Sequence, residues 1–151
     1  MKVLLITPPM LQCNTPYSAT PLLTAHLRQE GVDAVQVDAS LELLLRLFSG
    51  SGLARVHEAV TGRTSPGAAG RHFLGAYERY AAAIDPVIRF LQGKDPTLSH
   101  RIVSGDLLPQ GPRFDVMRDQ ETDADGTLAW AFGTLGTGDH AQYLASLFID
   151  D

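Results

Sequence analysis

Apolar and polar stretches are most sharply separated at the start of the chain. Val3 to Ile6 form a continuous apolar run, and Thr7, Pro8 and Pro9 stop it. An apolar run of this length between turn residues predicts a strand over residues 2–7, buried on both faces as in a parallel sheet. Proline has no N–H for a ladder, so the strand ends there and a loop leaves its carboxyl end. Thr20 and Pro21 then predict a helix start, with Thr20 as cap and Pro21 in the first turn. Leu22, Leu23, His26 and Leu27 share one face, and Gly31 predicts a left-handed end. A second short strand follows over residues 34–38. Strand, helix and strand within residues 1–38 predict one βαβ unit with parallel strands.

The remainder, residues 39–151, reads as helical. Ser40 predicts a cap for a helix from Leu41 to Phe48 whose only polar members are Glu42 and Arg46. A helix apolar nearly all round is expected to be buried, or covered by another chain or domain. Gly50, Ser51 and Gly52 predict a break, followed by a short helix over residues 53–60 and a linker over 61–70. Phe73, Tyr77, Tyr80, Ala81, Ile84, Ile88 and Leu91 recur at helical spacing. Asp85-Pro86 predicts an interruption and a fresh helix start, and Asp95-Pro96 predicts another before a helix over 98–103. Asp139 predicts the cap of a last helix with Tyr143, Leu144, Leu147 and Phe148 facing inward. The expected fold class is α/β: a helix-rich, Rossmann-like single domain over residues 1–151 with a small parallel sheet. Two strands are few for such a sheet. The last helix also ends on Asp150 and Asp151, carboxylates at the negative end of its dipole. Both features lead us to expect an N-terminal fragment of a longer protein.

Composition narrows the class. The chain has 151 residues, 44% hydrophobic and 19% charged, with 12 basic against 17 acidic residues and a net charge of −5. That is globular composition, and an acidic balance argues against nucleic acid or an anionic membrane as the main partner. The single cysteine, Cys13, excludes an internal disulfide and a cysteine cluster, and is compatible with a reducing cytoplasm. The apolar runs are too short for a signal peptide core or a membrane span, so the expected location is cytoplasmic.

Most candidate chemistry reads as structure. Residues 133–138 run GxxGxG, follow no strand and lack the phosphate-binding lysine, so they read as a turn between helices. Glu121, Asp123, Asp125 and Gly126 imitate a calcium loop, but Phe132 stands where a bidentate Glu belongs. The histidines His26, His57, His72, His100 and His140 have no metal-pair spacing, and His26 reads as a core or boundary residue. Cys13 has no identifiable base. Trp130, Phe132 and Phe114 read as core anchors. The loop from Thr7 to Tyr17 is different: two prolines stiffen it, and Gln12 and Asn14 can each donate and accept. It reads equally well as a ligand-facing edge, in keeping with ligands lying outside the carboxyl ends of parallel strands, and as a rigid connection into the next helix.

MKVLLITPP (1–9), TPLLTAHLRQEGV (20–32) and VQVD (35–38) together resemble the N-terminal cobalamin-binding-type domain of the B12-dependent class of radical SAM proteins. NTPY (14–17), FLQG (90–93) and ASLFID (145–150) resemble a subgroup of Fe–S oxidoreductases within it. The resemblance implies a Rossmann-like accessory domain that holds cobalamin and positions cofactor or substrate for a downstream radical SAM barrel of the same chain. Thr7, Pro8, Pro9, Gln12, Asn14 and Tyr17 would be the cofactor-contacting residues. The residues implied as catalytic lie elsewhere, because no CxxxCxxC occurs here. The 4Fe–4S cluster and S-adenosylmethionine would therefore belong to the parent protein beyond residue 151. No DxHxxG motif is present to offer an axial histidine. Two other readings stand beside this one. One is a protein-interaction module docking through the leucine-rich helix 41–48; the other is a small enzyme using Cys13.

Overall fold

The computed structural model describes residues 1–11, 17–115 and 136–150. Its element order is β1 (Lys2–Thr7), α1 (Ala19–Gln29), β2 (Asp33–Asp38), α2 (Ala39–Leu47), α3 (Gly50–Thr61), α4 (Ala68–Leu91), a 3-10 turn (Pro96–Leu98), α5 (Ser99–Val103) and α6 (Thr137–Asp150). A further helical turn occupies 112–115. Helices dominate, and the sheet has two parallel strands among the described residues. The chain divides into two compact units, Met1–Leu47 and Phe48–Asp151.

In the N-terminal unit both expected strands form, paired from Lys2↔Asp33 to Thr7↔Asp38. Side chains alternate across a strand, so Val3, Leu5 and Thr7 share a face with Ala34, Gln36 and Asp38. Helix α1 covers that face, reaching Thr7 through Thr20 and Gln36 through Thr24. The opposite face carries Leu4 and Ile6, which remain 57% and 53% exposed. Burial on both faces, expected from the unbroken apolar run, is therefore not what the strand has. Helix α1 ends as its sequence predicts. Gly31 adopts φ +77°, its N–H bonds Arg28 O at 3.1 Å, and Val32 N–H bonds Leu27 O at 2.9 Å, which is the Schellman arrangement that glycine favours.

Helix α2 begins two residues before the expected start, and its cap is Asp38 rather than Ser40. Asp38 Oδ1 accepts the Leu41 N–H at 2.9 Å, the third N–H of the helix. Ser40 lies inside the first turn, buried, and donates from Oγ to Leu11 O at 2.8 Å.

The C-terminal unit is helical and holds the hydrophobic core: Leu53 of α3, Tyr80 to Phe90 of α4, Leu98, Ile102, Leu108, Phe114 and Ala141 to Phe148 of α6. Gly50, Ser51 and Gly52 open α3, with Ser49 Oγ accepting the Gly52 N–H at 3.1 Å. Helix α4 runs unbroken for 24 residues, straight through Pro86. An interior proline costs about 3 kcal/mol. The offset is visible in what the helix buries on both sides of it: Tyr80, Ala83, Ile84, Val87 and Phe90. Each large apolar side chain contributes about 1.5–3 kcal/mol on full burial. Asp85, free of the expected capping duty within its own helix, instead accepts the Gly50 N–H of α3 at 3.0 Å. In α6, Leu144 and Phe148 are buried and Leu147 packs against the core as expected, joined by Ala141 and Ala145, while Tyr143 is exposed rather than inward. Asp139 lies within its first turn.

Candidate functional site

The described structure brings one set of polar side chains together in the N-terminal unit, at the carboxyl ends of the two strands. Thr7 is the last residue of β1 and is 3% exposed. Its Oγ1 lies 3.1 Å from Thr20 Oγ1 in the first turn of α1. Thr20 is thus not the helix cap; its hydroxyl also reaches Tyr17 O at 3.4 Å. One turn on, buried Thr24 donates to Thr20 O at 2.7 Å and lies 3.4 Å from Gln36 Oε1. A threonine hydroxyl has one hydrogen, and the shorter contact takes it. With the Gln36 amide turned over, its NH2 donates to Thr24 Oγ1 and both groups are satisfied.

The loop leaves β1 through a tight turn. Pro9 precedes Met10, whose φ is +67°, an order that matches a type II turn with proline second and a left-handed residue third. Glycine normally fills that third position, and an L side chain there costs about 1–2 kcal/mol. Leu11 follows, and its carbonyl is tied to Ser40 of α2. The turn is thus anchored on one side by the Thr7–Thr20 contact and on the other by the Leu11–Ser40 bond.

Of the residues expected to contact a cofactor, Thr7 is buried and hydrogen-bonded, whereas Pro8, Pro9 and Tyr17 are exposed. Gln12 and Asn14 lie outside the described residues, as do Cys13, Trp130, Phe132 and the acidic loop at 121–126. The sequence reading missed Thr24, Gln36 and Ser40. A faint signal existed for Thr24, which stands four residues after Thr20 and so on the same face of α1. Gln36 and Ser40 join only through the sheet register and the path of the turn.

The electrostatics of this edge are mild. Arg28 and His26 sit in the last turn of α1, and Arg28 Nε donates to Ala34 O at 2.8 Å. Lys2, at the amino end of β1, lies 4.0 Å from Asp33. The basic groups thus belong to the opposite end of the strands, and Asp38 at the carboxyl end is engaged as the α2 cap. The other polar side chains gathered at this edge are hydroxyls and one amide, with Thr7, Thr24 and Ser40 buried and bonded within the unit, so the edge is otherwise uncharged and suits a neutral ligand better than a polyphosphate. For a corrinoid, the uncharged groups of this edge are compatible with the neutral amide periphery of the ring. They do not fit axial ligation: His26 is the single histidine of residues 1–47, and it stands exposed at the far end of α1. That exposure also departs from the core or boundary position expected of it.

The other histidines sit in different surroundings. His57 of α3 stacks on Tyr77 of α4 with ring centroids 4.0 Å apart, and Tyr80 stacks on Phe148 at 5.4 Å. His72 Nε2 is buried with no hydrogen-bond partner, edge-on to Tyr80. These rings join the helices of the C-terminal unit, and the periodicity of α4 alone did not reveal the two histidines among them. Among the described residues no three His, Cys, Asp or Glu side chains converge as a metal-binding group. No described helix is long and apolar enough to cross a membrane. No protein-family profile, curated protein or solved structure matches the chain.

Proposed function

We propose that the N-terminal unit is a Rossmann-like, cobalamin-binding-type accessory domain of a radical SAM Fe–S oxidoreductase, whose downstream barrel would carry the 4Fe–4S cluster and S-adenosylmethionine. The observation that supports it best is the pair of anchors flanking the Pro8–Leu11 turn, the buried Thr7–Thr20 contact and the Ser40–Leu11 bond. They hold a stiff, uncharged loop at the strand ends where parallel α/β proteins take ligands. Thr7, Pro8, Pro9 and Tyr17, with Gln12 and Asn14, would contact the ring periphery through hydroxyl, amide and backbone groups. A bound corrinoid supplies the alkyl-transfer or radical chemistry, and this chain's residues bind and orient it. The proposed setting is a cytoplasmic protein with no nucleic acid or membrane partner.

Titration with hydroxocobalamin followed by desalting and visible absorbance tests this reading. The expected result is a corrinoid retained at one equivalent by the wild type, with binding weakened at least tenfold in Thr7→Val and Thr20→Val. A protein that leaves the column colourless contradicts it. The gene sequence after residue 151 tests the setting: CxxxCxxC supports the radical SAM context, and a stop codon contradicts it.

One observation favours a second reading, docking of a partner or neighbouring domain through α2. Leu41 and Leu47 are 47% and 43% exposed on a helix with few polar positions, which leaves, of the two expectations for it, cover by another chain or domain. On this reading no corrinoid is retained, and an apolar dye bound by the wild type is lost when Leu41 and Leu47 both become Glu.

A further inference from the structure

No further inference is drawn: the strongest candidate, the apolar sheet face of Leu4, Ile6 and Val35 in the N-terminal unit, carries none because nothing in the structure shows what covers it.

Discussion

In the C-terminal unit the buried side chains are Ile84, Val87, Phe90, Ile102, Leu108, Phe148 and their apolar neighbours. Among the described residues of the N-terminal unit they are Ala34 and three hydroxyl residues, Thr7, Thr24 and Ser40, while Leu4, Ile6, Leu22 and Leu23 face outward. Apolar burial is thus deeper in the C-terminal unit; in the N-terminal unit Val3, Leu5, Val37 and Leu43 to Leu45 are only partly buried, and hydrogen bonds join helix, strand end and turn beside them. A net intramolecular hydrogen bond contributes about 0.5–1.5 kcal/mol, less than one large buried side chain. A two-stranded sheet needs a helix packed on it to persist in water, and α1 supplies that on one face. The lesson is a division of labour. The C-terminal unit buries its apolar side chains, and the N-terminal unit buries hydroxyls and leaves apolar surface exposed. Binding raises the stability of the state that binds, so the N-terminal unit has the most to gain from a ligand or partner.

This contrast can be broken most forcefully at the core. Ile84→Ala, at a position 1% exposed, should destabilise the C-terminal unit by about 2–4 kcal/mol. Urea unfolding followed by near-ultraviolet dichroism reads it. A loss under 1 kcal/mol would mean that the helices do not depend on this packing. In the N-terminal unit, Thr24→Val should cost about 1 kcal/mol, because it removes the hydroxyl that reaches Thr20 and Gln36. Hydrogen exchange of the β2 amides measures that loss. Met10→Gly should stabilise the same unit by up to about 1 kcal/mol by relieving the left-handed backbone. If exchange there is faster instead, the turn is not strained as described. The smallest effect belongs to Lys2→Ala. The Lys2–Asp33 pair is long and its side chains are 74% and 67% exposed, so the expected change is below about 0.5 kcal/mol. A thermal melt indistinguishable from wild type checks it.

Much of the fold was legible where the signal is local. The apolar run ending at two prolines located β1, and Gly31 located the end of α1, because both effects act on the backbone of the residues concerned. The errors arose where two local signals compete or where packing decides. Asp38 and Ser40 are both good caps, and only the path of the chain makes Asp38 the cap and sends Ser40 to Leu11. Asp85-Pro86 is a sound start signal, yet α4 continues through it because its buried face continues through it. At the candidate site, Thr7 could be named from the strand end alone. Thr24, Gln36 and Ser40 could not, since their partners are neighbours through register and crossover rather than through sequence.

On the proposed reading the N-terminal unit is a marginal scaffold completed by a ligand held at its strand ends and the Pro8–Leu11 turn. Amide hydrogen exchange on the whole protein, with and without hydroxocobalamin, tests it most directly. The predicted result is strong protection of residues 80–90 and 144–148 in both samples, weak protection of residues 2–7 and 33–38 in the free protein, and a rise in protection with the corrinoid confined to residues 3–11 and 17–41. Strand amides already as protected as the α4 core without ligand, or unchanged by it, would contradict the account.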